Sequence, residues 1–117
     1  MMSNRDRSIV IATDFTEAPG ARYIADGPKS GEEFLRELLE PKFRAAMEGG
    51  WRLSVDLDGT WGYASSFISG AFGELARKFG APTVLKHLAI KSNEDSIVLE
   101  NVLTEIASEG NKARKDA

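Results

Sequence analysis

The spacing of apolar residues changes several times along the chain, and each change marks an element. Ile9, Val10, Ile11 and Ala12 form an unbroken apolar run closed by Thr13 and Asp14, which predicts a short strand buried on both faces. From Phe15 to Gly31 the pattern dissolves. Pro19, Gly20, Gly27, Pro28 and Gly31 predict a loop there, with a short edge strand around Arg22 to Ala25. Ser30 and Glu33 have capping-box spacing, the hydroxyl taking the N–H of residue 33 while the carboxylate returns to the N–H of residue 30. Phe34, Leu35, Leu38, Leu39, Phe43, Ala46 and Met47 then keep helical spacing. Pro41 interrupts them without a donor N–H, so a kink or brief break is expected at Glu40 to Pro41.

Gly49 and Gly50 end that helix, and Leu53, Val55 and Leu57 alternate as a strand from Trp51 to Leu57. The next stripe, Phe67, Ile68, Ala71, Phe72, Leu75 and Phe79, is helical again and carries Gly70 and Gly73 inside it. A glycine costs about 1 kcal/mol in a helix interior, so close approach by another backbone is the expected compensation. After Gly80, Ala81 and Pro82 the segment Thr83 to Ile90 reads as a third strand, with Leu85, Leu88 and Ile90 apolar. Ser92 with Asp95 caps a last helix whose face is Ile97, Val98, Leu99, Val102, Leu103 and Ile106. The order β, loop, α, β, α, β, α predicts an α/β domain with a parallel sheet and right-handed crossovers. In such a sheet the strands end, and the following helices begin, at one edge, where open α/β domains bind ligands. Asp14, Asp56, Asp58, Ser65, Ser66, Ser92 and Asp95 are expected to gather on that rim.

Composition narrows the function classes. A chain of 117 residues without cysteine has no disulfide or thiolate metal site and is expected to form one domain, spanning 9–108 between a flexible N-terminus (1–8) and a flexible tail (109–117). The apolar runs are too short for a membrane span and Ser3 to Arg7 lack a signal-peptide core, so a cytoplasmic location is expected. A net charge of −3 with mixed signs offers no broad basic face for nucleic acid, and the local positive charge of Lys112, Arg114 and Lys115 reads as a solvated end. No cofactor or metal is implied.

Two chemistries compete for the segment from Trp51 to Gly80. A strand, an acidic loop and the serine pair Ser65 and Ser66 opening a helix form a layout that suits a phosphoryl group, because free N–H groups and the helix dipole favour negative charge. Asp56-Leu57-Asp58-Gly59-Thr60 is similar to the opening motif of haloacid-dehalogenase-like phosphatases, where the first aspartate attacks phosphorus and the second moves a proton beside Mg²⁺. That motif belongs on the first strand of a larger sheet, and here it falls on the second. A plainer reading makes Asp58-Gly59-Thr60 a turn, leaves Asp56 facing solvent or capping a neighbouring N–H, and makes both serines N-caps.

A longer set of motifs points elsewhere. Asp14-Phe15, Pro19-Gly20-Ala21-Arg22, Gly27 to Arg36, Leu39-Glu40-Pro41, Val55 to Tyr63, Ser65-Ser66-Phe67 and Ala71 to Leu75 together resemble the bacterial STAS-like domain of unknown function, over roughly residues 9 to 107. The resemblance implies a small, mostly parallel sheet of three to five strands with helices packed on it. It also implies a non-enzymatic regulatory module. The related anti-sigma factor antagonists carry an Asp-Ser-Ser-Gly turn whose first serine is phosphorylated by a kinase of the GHKL ATPase type, which controls partner choice. Ala64-Ser65-Ser66-Phe67 stands in that place, so the resemblance implies Ser65, with Ser66 beside it, as the phosphosite and a GHKL-type ATPase or kinase as the partner. Ala64 and Phe67 depart from the aspartate and the glycine of the pattern, and Ser69 and Gly70 stand where an acidic pair is common.

A phosphate on Ser65 would add nearly two negative charges and is expected to meet Asp56 and Asp58. Arg22, in its glycine-flanked loop, is expected to pair with Asp14 or Asp58 or to take a phosphate bidentately. With Phe67 and Phe72 these residues make up the expected partner surface, and a homodimer is compatible with the same features. Lys29-Ser30-Gly31 is too short for a Walker loop, and His87 reads as a half-buried or surface residue. Trp51 and Trp61 flank the second strand as lids on the core, with Trp61 and Tyr63 also placed to face a partner.

Overall fold

A computed structural model describes residues 6–116. Its centre is a sheet of three parallel strands in the order β1-β2-β3: β1 Ser8–Val10, β2 Leu53–Asp56 and β3 Leu88–Lys91. Five helices surround it: α1 Ile11–Asp14, α2 over 31–49, α3 over 65–79, α4 Ala81–His87 and α5 Ser96–Asp116. The α/β class with a small parallel sheet agrees with the sequence pattern. The fully buried strand residues lie on one face of the sheet. Ile9, Leu53, Val55, Leu57 and Leu88 are buried against Phe34, Leu39 and Phe43 of α2, Phe67, Phe72 and Leu75 of α3 and Val102 and Ile106 of α5. Alternate positions Ser54 and Asp56 stay half-exposed, as the two-residue side-chain period requires. β1 is therefore buried on one face, not both.

Several boundaries differ from expectation for identifiable reasons. Thr83 to Ile90 is not one strand: Ala81–His87 is helix α4, with proline in its first turn, where the missing N–H costs nothing, and only Leu88–Lys91 joins the sheet. No edge strand forms at Arg22 to Ala25, where the chain makes a single 3-10 turn at Ile24–Asp26. Asp14 and Thr13 close the free edge of β1 instead, the Asp14 carboxylate accepting the Val10 N–H at 2.7 Å and the Thr13 hydroxyl donating to the Val10 carbonyl at 3.4 Å. The expected tail from residue 109 belongs to α5, which continues to Asp116, with Gly110 packed against Ala81. At the other end Arg7 is engaged: its carbonyl accepts the Ser54 N–H and its guanidinium lies 5.0 Å from the Trp51 ring centre.

Pro41 does not break α2. The turn before it, Leu35–Leu39, widens to a π turn in which the Glu40 N–H reaches back to the Leu35 carbonyl, so the proline fits into the helical path. A second π turn, Ser69–Gly73, lies in α3. The two helices meet closely where both lack a side chain. A Cβ on Gly31 would strike the Phe67 carbonyl and the Ala71 nitrogen, and one on Gly70 would lie 2.6 Å from the Arg22 carbonyl. Gly31→Ala is accordingly expected to lower stability by about 1–3 kcal/mol, read as a lower urea midpoint with an unchanged slope. An unaltered midpoint would show that the two helices can separate freely.

Candidate functional site at the rim of the sheet

The loop from β2 to α3 and the loop from β3 to α5 leave the sheet side by side, and one carboxylate ties them together. Asp58 Oδ1 accepts the Ser92 hydroxyl at 3.0 Å and the N–H groups of Asn93 and Glu94 at 3.1 and 3.0 Å, while Oδ2 accepts the Asn93 N–H at 2.9 Å. Glu94 returns the favour by accepting the Gly59 N–H at 3.1 Å. The Asn93 N–H above all, then that of Glu94, with smaller help from the Ser92 hydroxyl and Lys91, hold the Asp58 carboxyl below the usual aspartate range against some desolvation. Asp56 accepts the Asp58 N–H at 2.9 Å and lies 3.8 Å from the Lys91 ammonium. Its role includes the neighbouring cap that the plain reading of the sequence anticipated.

The caps themselves are redistributed. Ser30 accepts the Glu33 N–H at 3.0 Å as expected, but the Glu33 carboxylate takes the Lys29 N–H rather than that of Ser30. At α5 the cap is Asp95, whose Oδ1 accepts the N–H groups of Ile97 and Val98 at 3.0 and 3.2 Å. Ser92 lies one step further out, accepting the Asp95 N–H while donating to Asp58.

Ser65 and Ser66 are not N-caps. Ala64 occupies the cap position of α3, and the two serines are the first helical residues with no side-chain cap bond. Ser65 is exposed and Ser66 half-exposed. The two hydroxyls diverge by the helical turn. Ser65 lines a cavity of about 310 Å³ with Tyr63, Ile68, Asn101, Thr104 and Glu105, so the acid that shares its cavity is Glu105 of α5, and neither Asp56 nor Asp58 lines it. Tyr63 shares this cavity and donates its hydroxyl to the Leu57 carbonyl at 2.8 Å, and burial pushes its phenol up to about 12.

The remaining predicted site residues separate into two groups. Arg22 stays exposed in a loop that runs beside α3, its backbone against Gly70, but its guanidinium rests 5.9 Å from the Tyr23 ring centre and pairs with neither Asp14 nor Asp58. Phe67 and Phe72 are fully buried, stacking around Phe34 at ring-centre distances of 5.9 and 6.1 Å. Their place in the core rules out the docking role expected of them, since neither exposes any surface to a partner. The helical stripe already carried that signal, because both fall on the apolar face of α3. Trp61 does the reverse: expected partly as a core lid, it is 84 % exposed, held through its N–H to the Glu17 carbonyl at 2.8 Å. Among the described residues no group of three or more His, Cys, Asp or Glu side chains is arranged to hold a metal ion, and no helix is long and apolar enough to cross a membrane.

This geometry meets the outcome of comparison with known proteins. Residues 30–98, more than half of the chain, match the family described as the STAS-like domain of unknown function, and the chain belongs to that family. Membership supports, at a coarse level, a regulatory protein-interaction module. No curated protein and no solved structure matches significantly.

The Asp58 clamp has a pH signature. Because its folded-state pKa is depressed, its contribution is present above the ordinary aspartate range and is lost as pH falls through the folded value. The stability gap between wild type and Asp58→Asn is expected to be widest near neutrality and to shrink in acid below about pH 4. Urea midpoints measured across that range check it, and a gap independent of pH would remove the clamp from the account.

Proposed function

We propose that this chain is the non-enzymatic, cytoplasmic half of a partner-switching pair, that its partner is a GHKL-type ATPase or kinase, and that Ser65 is the residue the partner phosphorylates. The observation that carries the reading is the state of Ser65: exposed, in the first turn of α3 directly after the β2 loop, with its hydroxyl engaged in no cap. The related anti-sigma factor antagonists place their phosphorylated serine at the corresponding point. Physical chemistry supports a switch at this position. A phosphate in the first turn of a helix is favoured by the dipole and the free N–H groups, while Glu105 across the cavity opposes it. Modification would therefore shift the start of α3 relative to α5.

The loop 19 to 31 and the exposed side of α3 form the contact surface in this reading, with Arg22 presented for a carboxylate or phosphate of the partner. Ala64 removes the aspartate that the related turn carries, so recognition by the kinase rests on the surrounding surface. Incubation with a candidate kinase of this type and ATP is expected to add one phosphate to wild type and none to Ser65→Ala, read by intact mass. A phosphate that persists on Ser65→Ala, or none on wild type with the kinase that co-purifies from the native cell, removes Ser65 from the mechanism.

A further inference from the structure

We infer that the cavity between the β2–α3 loop and the start of α5 docks a basic segment of a protein partner, one arginine or lysine side chain lying against Trp61 among the carboxylates of Asp58, Glu94 and Asp95. The inference rests on the reading of the chain as a protein-binding module and names the chemistry of what it binds.

Three observations converge there. The first is exposed apolar surface: Trp61, in the wall of a cavity of about 120 Å³, is 84 % exposed. Tryptophan is enriched among the residues that anchor protein interfaces, and its ring face attracts cations. Second, the cavity is lined by Asp58, Glu94 and Asp95, with the exposed Glu17 joined to Trp61 through the backbone. The third is how these acids are satisfied. On the flank between α2 and α3, Glu32, Glu40 and Glu74 are each within 4 Å of a cation, through Arg36 at 3.0 Å, Arg44 and Lys78 both at 2.8 Å, and Arg77 at 3.6 Å. At the cavity, Asp58, Glu94 and Asp95 are bound to N–H and hydroxyl groups that carry no net charge.

Among the described residues no cation lies within 4 Å of any of the three carboxylates. Lys91, the cation whose field reaches Asp58, lies 3.8 Å from Asp56. Asp95 Oδ2 and Glu94 Oε1 make no hydrogen bond among the described residues, so each offers an acceptor to an arriving cation. A wall of fixed anions beside an aromatic face selects a guanidinium or ammonium group and rejects an acidic segment.

Calorimetric titration of the full chain with a short peptide of alternating arginine and glycine, at physiological ionic strength, tests this. The expected result is measurable binding to wild type, weakened about tenfold by Trp61→Ala and by the double variant Glu94→Gln, Asp95→Asn. The asparagine keeps the capping oxygen of α5. The double variant Glu32→Gln, Glu74→Gln removes equal charge from the flank and should bind as wild type does. No binding to wild type, wild-type affinity in Trp61→Ala, or an equal loss in the flank variant overturns the inference. Ser65→Ala should bind the peptide normally. A chain that is never phosphorylated can thus still have this dock, and one phosphorylated on Ser65 but indifferent to Trp61→Ala lacks only the dock.

Discussion

Two bare Cα atoms decide how this molecule closes. Gly31 begins α2 directly under the Phe67 carbonyl, and Gly70 in α3 lies against the backbone of Arg22. A side chain at Gly31 would push apart the helices whose phenylalanines fill the core, Phe34 on one and Phe67 and Phe72 on the other, and one at Gly70 would push the Arg22 loop off α3. The loop is drawn into the same contact. It is pinned by backbone bonds from Gly20 to the Lys29 carbonyl, from Gly31 to that of Ala21 and from Glu32 to that of Arg22, and by the Glu32 carboxylate on the Ile24 N–H. With the loop and α2 fixed against α3, the start of α3 is fixed too. Ser65 and the turn bearing Trp61 inherit their positions from that packing.

The parts of the fold governed by side-chain period were legible in the chain. The stripes of α2, α3 and α5 and the alternation of β2 each name their buried face, and of the two glycines expected to meet another backbone Gly70 does so, at Arg22, while Gly73 faces the Glu105 side chain. What escaped was set by single residues or by distant ones. Thr83-Val84-Leu85 has strand-like composition, yet Pro82 in a first turn and the buried spacing of Ala81, Val84 and Leu88 already fit a helix entering a strand. The π turn before Pro41 and the 3-10 turn near Arg22 are local adjustments with no periodic signature. Phe67 and Phe72, expected on the partner surface, have the helical spacing that puts them in the core.

The site was legible in outline and not in its connections. That the acids and serines collect at the ends of parallel strands follows from topology. Which hydrogen bond each makes does not, because the partners of Asp58 lie 34 to 36 positions away, in a loop whose course depends on where β3 begins. Similarly, neighbouring serines on a helix point in different directions, and only the position of α5 places Ser65 by Glu105.

The rim's electrostatics follow from the same architecture. A parallel sheet delivers loops and helix starts to one edge, and those segments carry unpaired N–H groups that must be satisfied. Here carboxylates do that work: Asp14 closes an edge strand, Asp58 a loop, Glu94 a turn and Asp95 a helix. A neutral N–H satisfies the geometry of a carboxylate without cancelling its charge, whereas the flank's glutamates meet guanidinium and ammonium groups. The bonds that hold the rim together thus also give it its sign. A phosphate on Ser65 would have that same sign and would strengthen attraction for a basic segment docked by Trp61. Release of such a partner on modification would then have to act through geometry, the repulsion between the phosphate and Glu105 moving α3 against α5, and not through loss of the rim's field.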